Sequence, residues 1–199
     1  MRYLDRATSR LPRPWRITVD WALTIIIALV AVLAFEAEVA KPFRIPTSSM
    51  EGTLHCARPG DGCEARFSDR VIACEICFRL SAPQRGQIVV FHSPAGACGV
   101  GGVFVKRLIG LPGEVVHENT NASMSINGHR LSEPYVSSKD TQYRGLTWHV
   151  PAGEYFMLGD NRGGSCDSRV WGAVPRSSLI GPVIMTYWPP NRLSFDDLP

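Results

Sequence analysis

Three hydroxyls stand side by side in "IPTSSMEGTL", residues 45 to 54: Thr47, Ser48 and Ser49, held between a proline and a methionine. A hydroxyl attacks a carbonyl efficiently only when a base takes its proton. Histidine is the commonest such base, but His55, His92, His117, His129 and His149 stand in ordinary turn or strand-end contexts, and nothing local selects one. Neither a G-x-S-x-G elbow nor an H-E-x-x-H helix is present. Lysine is the better candidate. Of 21 basic side chains only Lys41, Lys106 and Lys139 are lysines; the rest are arginines. In "GGVFVKRLIG" strand alternation puts Phe104, Lys106 and Leu108 on one face. Apolar neighbours desolvate an amine and favour its neutral form. A neutral amine takes a proton from serine, which a guanidinium cannot do. The same segment also suits a lysine that snorkels from a strand edge, and alone it does not choose between the two.

A third stretch bears on that choice. "GDNRGGSCDSRVWG", Gly159 to Gly172, carries Asp160, Arg162, Asp167 and Arg169 in alternating sign, interleaved with Ser165 and Ser168. Opposite charges at short spacing cross-brace a loop, and a serine held inside it can orient a lysine amine. Exposed pairs stabilise by only ~0–1 kcal/mol each, so their value here is geometric.

The elements that must position these groups begin with an apolar run. "VDWALTIIIALVAVLAF", Val19 to Phe35, has the single charge Asp20, and roughly 17 residues is near the lower limit for a spanning helix. Ala37, Val39 and Ala40 extend it past Glu36 and Glu38. Arg2, Arg6, Arg10, Arg13 and Arg16 precede it, so the positive-inside rule keeps the N-terminus cytoplasmic and exports the chain beyond the run. The expected organisation is a basic cytoplasmic tail over 1–18, a transmembrane signal anchor over 19–40 and an extracytoplasmic domain over 41–199. A cleaved secretory signal is the competing reading. The long run and the mediocre small-residue site in "AFEAEVAKP" favour an uncleaved anchor.

Beyond the anchor the pattern is β. "RVIACEICFRL", "GQIVVFHSP", "GGVFVKRLIGL", "EYFMLGD" and "LIGPVIMTYW" are short runs rich in Val, Ile, Phe and Tyr, punctuated by Gly, Pro, Asn and Asp. They predict a mainly β catalytic domain, an antiparallel sheet or partly open barrel, behind one N-terminal transmembrane helix. The polar stretch over about 117–150, with a hairpin turn at Asn127-Gly128, reads as a less tightly packed insertion or subdomain. Asn121-Ala-Ser123 matches a glycosylation sequon, a weak pattern. With 45% apolar residues and a net charge of +3, the 199-residue chain points neither to nucleic acid nor to acidic substrates.

All six cysteines, at 56, 63, 74, 77, 98 and 166, lie beyond the anchor, where disulfides persist. "ARPGDG" between Cys56 and Cys63 is turn-forming and brings that pair within bridging distance. Cys74 and Cys77 lie in a run read as strand, which places them on opposite faces as buried thiols. No second C-x-x-C or spaced histidine pair completes a metal site, and none is expected.

"IPTSSMEGTL", "GQIVVFHSP", "VKRLIGLPGE" and "GDNRGGSCDSRVWG", in this order behind an anchor, resemble the motif boxes of type I signal peptidases, membrane-bound serine proteases with a Ser/Lys dyad. The resemblance covers about Phe43 to Pro182. It implies Ser49 as nucleophile, Lys106 as general base, and Thr47 with the Ser49 N–H as oxyanion hole. It further implies Ser165 as the serine orienting the lysine, and Asp160, Asp167 and Arg169 as a salt-bridge framework with Arg107 partnering Asp160. Phe43, Ile45, Met50, Leu54, Phe104 and Val105 would line shallow pockets for small residues at −1 and −3 of the cleavage site.

The chain departs from the family's pattern at Gly52, where proline is usual, at Gln87, where aspartate is usual, and at Gly163 and Gly164. Thr47 replaces the commoner serine. None removes a member of the dyad. Cys98 precedes the lysine strand and Cys166 is next to Ser165, so a second disulfide is expected to clamp the two segments. The activity implied is removal of signal peptides from exported preproteins, without cofactor, at a cytoplasmic membrane. The partners implied are signal peptides leaving the translocation machinery, and membrane lipid. Two alternatives are a narrower dyad peptidase processing a pilin or conjugation factor, and an inactive anchored domain that only binds signal peptides.

Overall fold

The computed structural model describes residues 12–99, 101–120, 123–136 and 144–195, without the side chains of 13, 14, 16 and 34–38. The basic tail up to residue 11, Lys139 and the first two sequon positions lie outside it. The chain forms two compact units, Met1–Val39 and Ala40–Pro199.

Among the described residues the first unit contributes one helix, α1 (Arg13–Glu38), of 26 residues. Most of its described apolar side chains, among them Ile25, Ile26, Leu29 and Val30, stand exposed. Among the described residues no helix is long and apolar enough to cross a membrane. The expected span over 19–40 runs past Leu33, where the described side chains of α1 stop.

The second unit is mainly antiparallel β. Its larger sheet contains β1 (Ala40–Arg44), β2 (Arg70–Cys74), β3 (Ile88–His92), β4 (Val103–Gly110), β9 (Glu154–Leu158), β10 (Val174–Pro175), β11 (Leu179–Trp188) and β12 (Ser194–Phe195). They run in the order β1-β2-β11-β3-β4-β9-β10, with β12 on β11, and every pair is antiparallel. No pair closes β10 onto β1 among the described residues, so the sheet is open. Register shifts in β11 and β4 mark bulges, which bend and twist strands. Pro42 is tolerated in β1 because β1 is an edge strand.

Strand β3 shows why the sequence folds this way. Ile88 and Val90 pack with Ile45, Met50, Leu54 and Val71, while Val89 and Phe91 pack with Leu108, Tyr155 and Met157. Both faces are buried, which explains the unbroken apolar run "IVVF". The smaller sheet, in the order β7-β6-β5-β8, joins β5 (Val115–Glu118), β6 (Met124–Ile126), β7 (His129–Arg130) and β8 (Thr147–His149). Asn127 and Gly128 connect β6 to β7 with φ of 50° and 83°, the positive pair that a tight hairpin turn requires. Val116, Met124 and Ile126 share a core with Ile109, Phe156 and Leu158, so strands β5 and β6 of this segment are firmly packed against the larger sheet.

The cysteines form three disulfides, Cys56–Cys63, Cys74–Cys77 and Cys98–Cys166, and none is free. The expected opposition of Cys74 and Cys77 fails because β2 ends at Cys74. The chain then turns into the short helix α2 (Cys77–Leu80), which brings the second sulfur back to the first.

Candidate active site

Leaving β1, the chain is extended at Thr47 (φ −128°, ψ 157°) and enters a 3-10 turn over Ser48–Met50. Apolar anchors hold that turn: Ile45, Met50 and Leu54 are buried in one cluster. The Glu51 N–H closes it onto Ser48 O at 3.0 Å, and the Leu54 N–H reaches Met50 O at 2.8 Å. Glu51 is itself buried; its carboxylate accepts the Cys56 N–H at 3.0 Å and pairs with His55. That histidine therefore has a partner of its own. Gly52 sits at φ +99°, a conformation closed to proline.

On the neighbouring strand, Lys106 is 4% exposed and lies opposite Val89. Its Nζ is 2.6 Å from Ser49 Oγ, across a sequence separation of 57. Phe104 and Leu108 pack into the adjacent apolar cluster, and the amine stands 5.6 Å from the Phe104 ring centroid. Burial pushes the Lys106 amine down to about 8, against the carboxylates of Asp167 and Asp160, which hold it up. The Thr47 and Ser49 hydroxyl oxygens are 3.3 Å apart.

A buried ionic frame surrounds the pair. Arg107 donates to both carboxylate oxygens of Asp160, at 2.9 and 2.7 Å, and its guanidinium lies 3.8 Å from the Tyr135 ring centroid. Thr53 Oγ1 donates to Asp160 at 2.6 Å, which ties the serine turn to the loop after β9. Asp167 caps α3 (Ser168–Trp171) by accepting the Arg169 N–H. It also accepts the Arg169 side chain at 2.9 Å and the Gly159 N–H at 3.1 Å. Arg162 pairs with Glu133, and Arg169 lies 3.6 Å from Glu118.

Gly159 lets the frame close. A Cβ there would lie 2.2 Å from Ser165 Oγ and 2.4 Å from Ser49 O. Ser165 is accordingly packed beside the serine turn, yet among the described residues its buried Oγ has no hydrogen-bond partner. It makes no bond to Lys106, which differs from the expected orienting contact. Its hydroxyl lies beside Gly159, where no side chain intervenes.

The Ser49–Lys106 pair opens onto a cleft of about 410 Å³, lined by Phe43, Ile45, Met50, Phe104 and Val105, with Cys98 and Cys166 at its wall. Leu54 does not line it. It is wholly buried in the core beneath the turn, packed in one cluster with Ile45, Met50 and Val71. Among the described residues the one grouping of metal-ligating side chains is Glu51, Cys56 and Cys63, and its two sulfurs are spent on each other. Sequence reasoning missed Asn161. Its Nδ2 donates to Ser48 O at 3.0 Å and its backbone N–H to Ser49 O at 3.2 Å. An uncharged residue between Asp160 and Arg162 gave no signal.

The fold and site define a class: a mainly β protein that holds a serine hydroxyl against a desolvated lysine amine at the floor of an apolar cleft. Comparison with known proteins narrows it. The family model described as "Signal peptidase, peptidase S26" matches residues 18–188. "Signal peptidase I" of Leptolyngbya laminosa is 39% identical over 166 residues, covering 81% of this chain and 75% of that protein. "Probable signal peptidase I-1" of Synechocystis sp. is 34% identical over 188 residues, covering 92% and 89%. The chain belongs to the signal peptidase family, peptidase S26.

Proposed function

We propose that this protein removes signal peptides from exported preproteins, with Ser49 as nucleophile and Lys106 as general base. The observation that carries this reading is the 2.6 Å approach of the two groups, with the lysine amine lowered to about 8. Neutral Lys106 takes the Ser49 proton as Oγ attacks the scissile carbonyl. The resulting lysinium delivers that proton to the departing amine, leaving an acyl-enzyme that water hydrolyses by the same relay. Thr47 Oγ1 and the Ser49 N–H stabilise the oxyanion, and each such donor is worth ~10²–10³ in turnover. Phe43, Ile45, Met50, Phe104 and Val105 supply shallow apolar walls that suit small residues at −1 and −3. The same walls keep the amine dry. Arg107 with Asp160, and Arg169 with Asp167, hold the loop and strand that bear these groups.

The anchor over 19–40, the cytoplasmic N-terminus and the extracytoplasmic catalytic domain belong to this reading. Their support is the apolar run behind five arginines, together with three disulfides in the domain beyond it. On this account the substrate is a signal peptide leaving the translocation machinery at the lipid surface. The test is cleavage of a preprotein in detergent by the wild type, Ser49→Ala and Lys106→Ala. Loss of cleavage in both variants is expected; undiminished cleavage by either refutes the dyad.

A further inference from the structure

We infer that Asn161 is a positioning residue that sets the oxyanion hole by fixing the Ser48–Ser49 peptide plane. The inference rests on the reading of Ser49 as nucleophile and of its backbone N–H as an oxyanion donor.

In a trans peptide unit the C=O and N–H point in opposite directions. Whatever holds Ser48 O therefore aims the Ser49 N–H. Two donors converge on that oxygen: the Glu51 N–H at 3.0 Å, from within the turn, and Asn161 Nδ2 at 3.0 Å, from across the site. The first comes with any turn of this kind. The second is a side chain reaching over 113 positions of sequence. The Asn161 N–H then takes Ser49 O at 3.2 Å, so one residue grips the carbonyls on both sides of Ser49 Cα.

The Ser49 N–H is left for substrate. It lies in the first part of a 3-10 turn, where N–H groups have no partner inside the helix. Thr47 makes no side-chain cap bond to it, and no acceptor takes it among the described residues. Donation to Ser48 O also polarises the same peptide unit and strengthens its N–H as a donor. The amide's orientation is set by its surroundings. Asn161 Oδ1 accepts the Gly164 N–H at 3.3 Å, so the reversed amide would oppose like groups at both ends. Gly164 in turn lines the cleft, and a Cβ there would meet Asn161 Nδ2 at 2.6 Å. Asn161 thus joins the nucleophile's turn to the cleft wall.

The test uses the full chain in detergent, as wild type, Asn161→Asp and Asn161→Ala. Asn161→Asp keeps the size and the acceptor for Gly164 but donates nothing to Ser48 O when ionised. For each protein, kcat and KM on a signal-peptide substrate are measured, with the affinity of a peptide boronic acid ending in alanine. That compound forms a tetrahedral adduct with a serine Oγ. Both variants are expected to lose about 10–10²-fold in kcat, below the full loss of an oxyanion donor. Boronate affinity should fall in parallel while KM stays at the wild-type value in both. The pH of half-maximal rate stays unchanged in Asn161→Ala, whereas the added carboxylate of Asn161→Asp moves it up, so kcat is compared on the high-pH plateau. Retention of kcat within threefold by either variant overturns the inference. So does a kcat loss with unchanged boronate affinity, or a loss expressed wholly in KM, because a merely structural role produces those patterns. A wild type that cleaves no signal-peptide substrate overturns the underlying dyad reading and this inference with it.

Discussion

Replacing the lysine at the heart of the site should make the protein more stable at neutral pH. Lys106 is 4% exposed, and burial lowers its amine from 10.5 to about 8. Folding therefore works against the charged form. At ~1.4 kcal/mol per pK unit, the cost at pH 7 is about 3 kcal/mol. Lys106→Met removes the charge at similar length and loses the bond to Ser49 Oγ, worth ~1 kcal/mol. The variant should thus be about 2 kcal/mol more stable at pH 7, or roughly 4–8 °C in Tm for a chain of this size. The sign comes from proton binding. Below pH 8 the lysine is protonated in both states and the folded chain carries the full cost. Between 8 and 10.5 the unfolded state binds more protons, so wild-type stability rises with pH. Above that window the cost is gone and the wild type regains the advantage of its hydrogen bond. Unfolding of both proteins from pH 7 to pH 11, monitored by tryptophan fluorescence, gives the difference directly, and other titrating groups cancel in it. A variant less stable at pH 7, or a gap that stays constant from pH 8 to pH 10.5, would refute the desolvated amine.

Two further outcomes come from the glycines around the dyad. Gly159→Ala places a Cβ 2.4 Å from Ser49 O and 2.2 Å from Ser165 Oγ, so the serine turn must shift. A fall in kcat of at least about tenfold is expected, since a misplacement near 1 Å costs ~10², and preprotein cleavage measures it. Gly52→Pro installs the residue usual in the family at a φ of +99° that proline cannot adopt. Thermal unfolding should show a loss of at least about 1 kcal/mol, because a backbone incompatible with the new residue destabilises the fold.

The strands were legible where both faces are buried, as in the unbroken "IVVF" of β3 and in the flanking runs of β4 and β9. Strand β1 was not read from the sequence, because Pro42 argues against a strand unless one knows it lies on an edge. Cys74 and Cys77 were read through a strand that stops at Cys74, and alternation says nothing once the chain turns. Lys106 stood out for a chemical reason: among arginines, a lysine can serve as a base. Leu54 carries the same apolar character as the cleft residues, yet it points into the core. Residue type does not encode that direction. Asn161 acts through two backbone carbonyls, which no side-chain pattern displays.

The pH dependence of kcat/KM on a signal-peptide substrate tests the central claim most directly. With the base at about 8, its neutral fraction rises roughly tenfold between pH 7 and pH 9. The account predicts a rate that climbs by about that factor and levels off above pH 9. A rate that is flat or falling across that interval, in protein still folded, would contradict Lys106 as the neutral base.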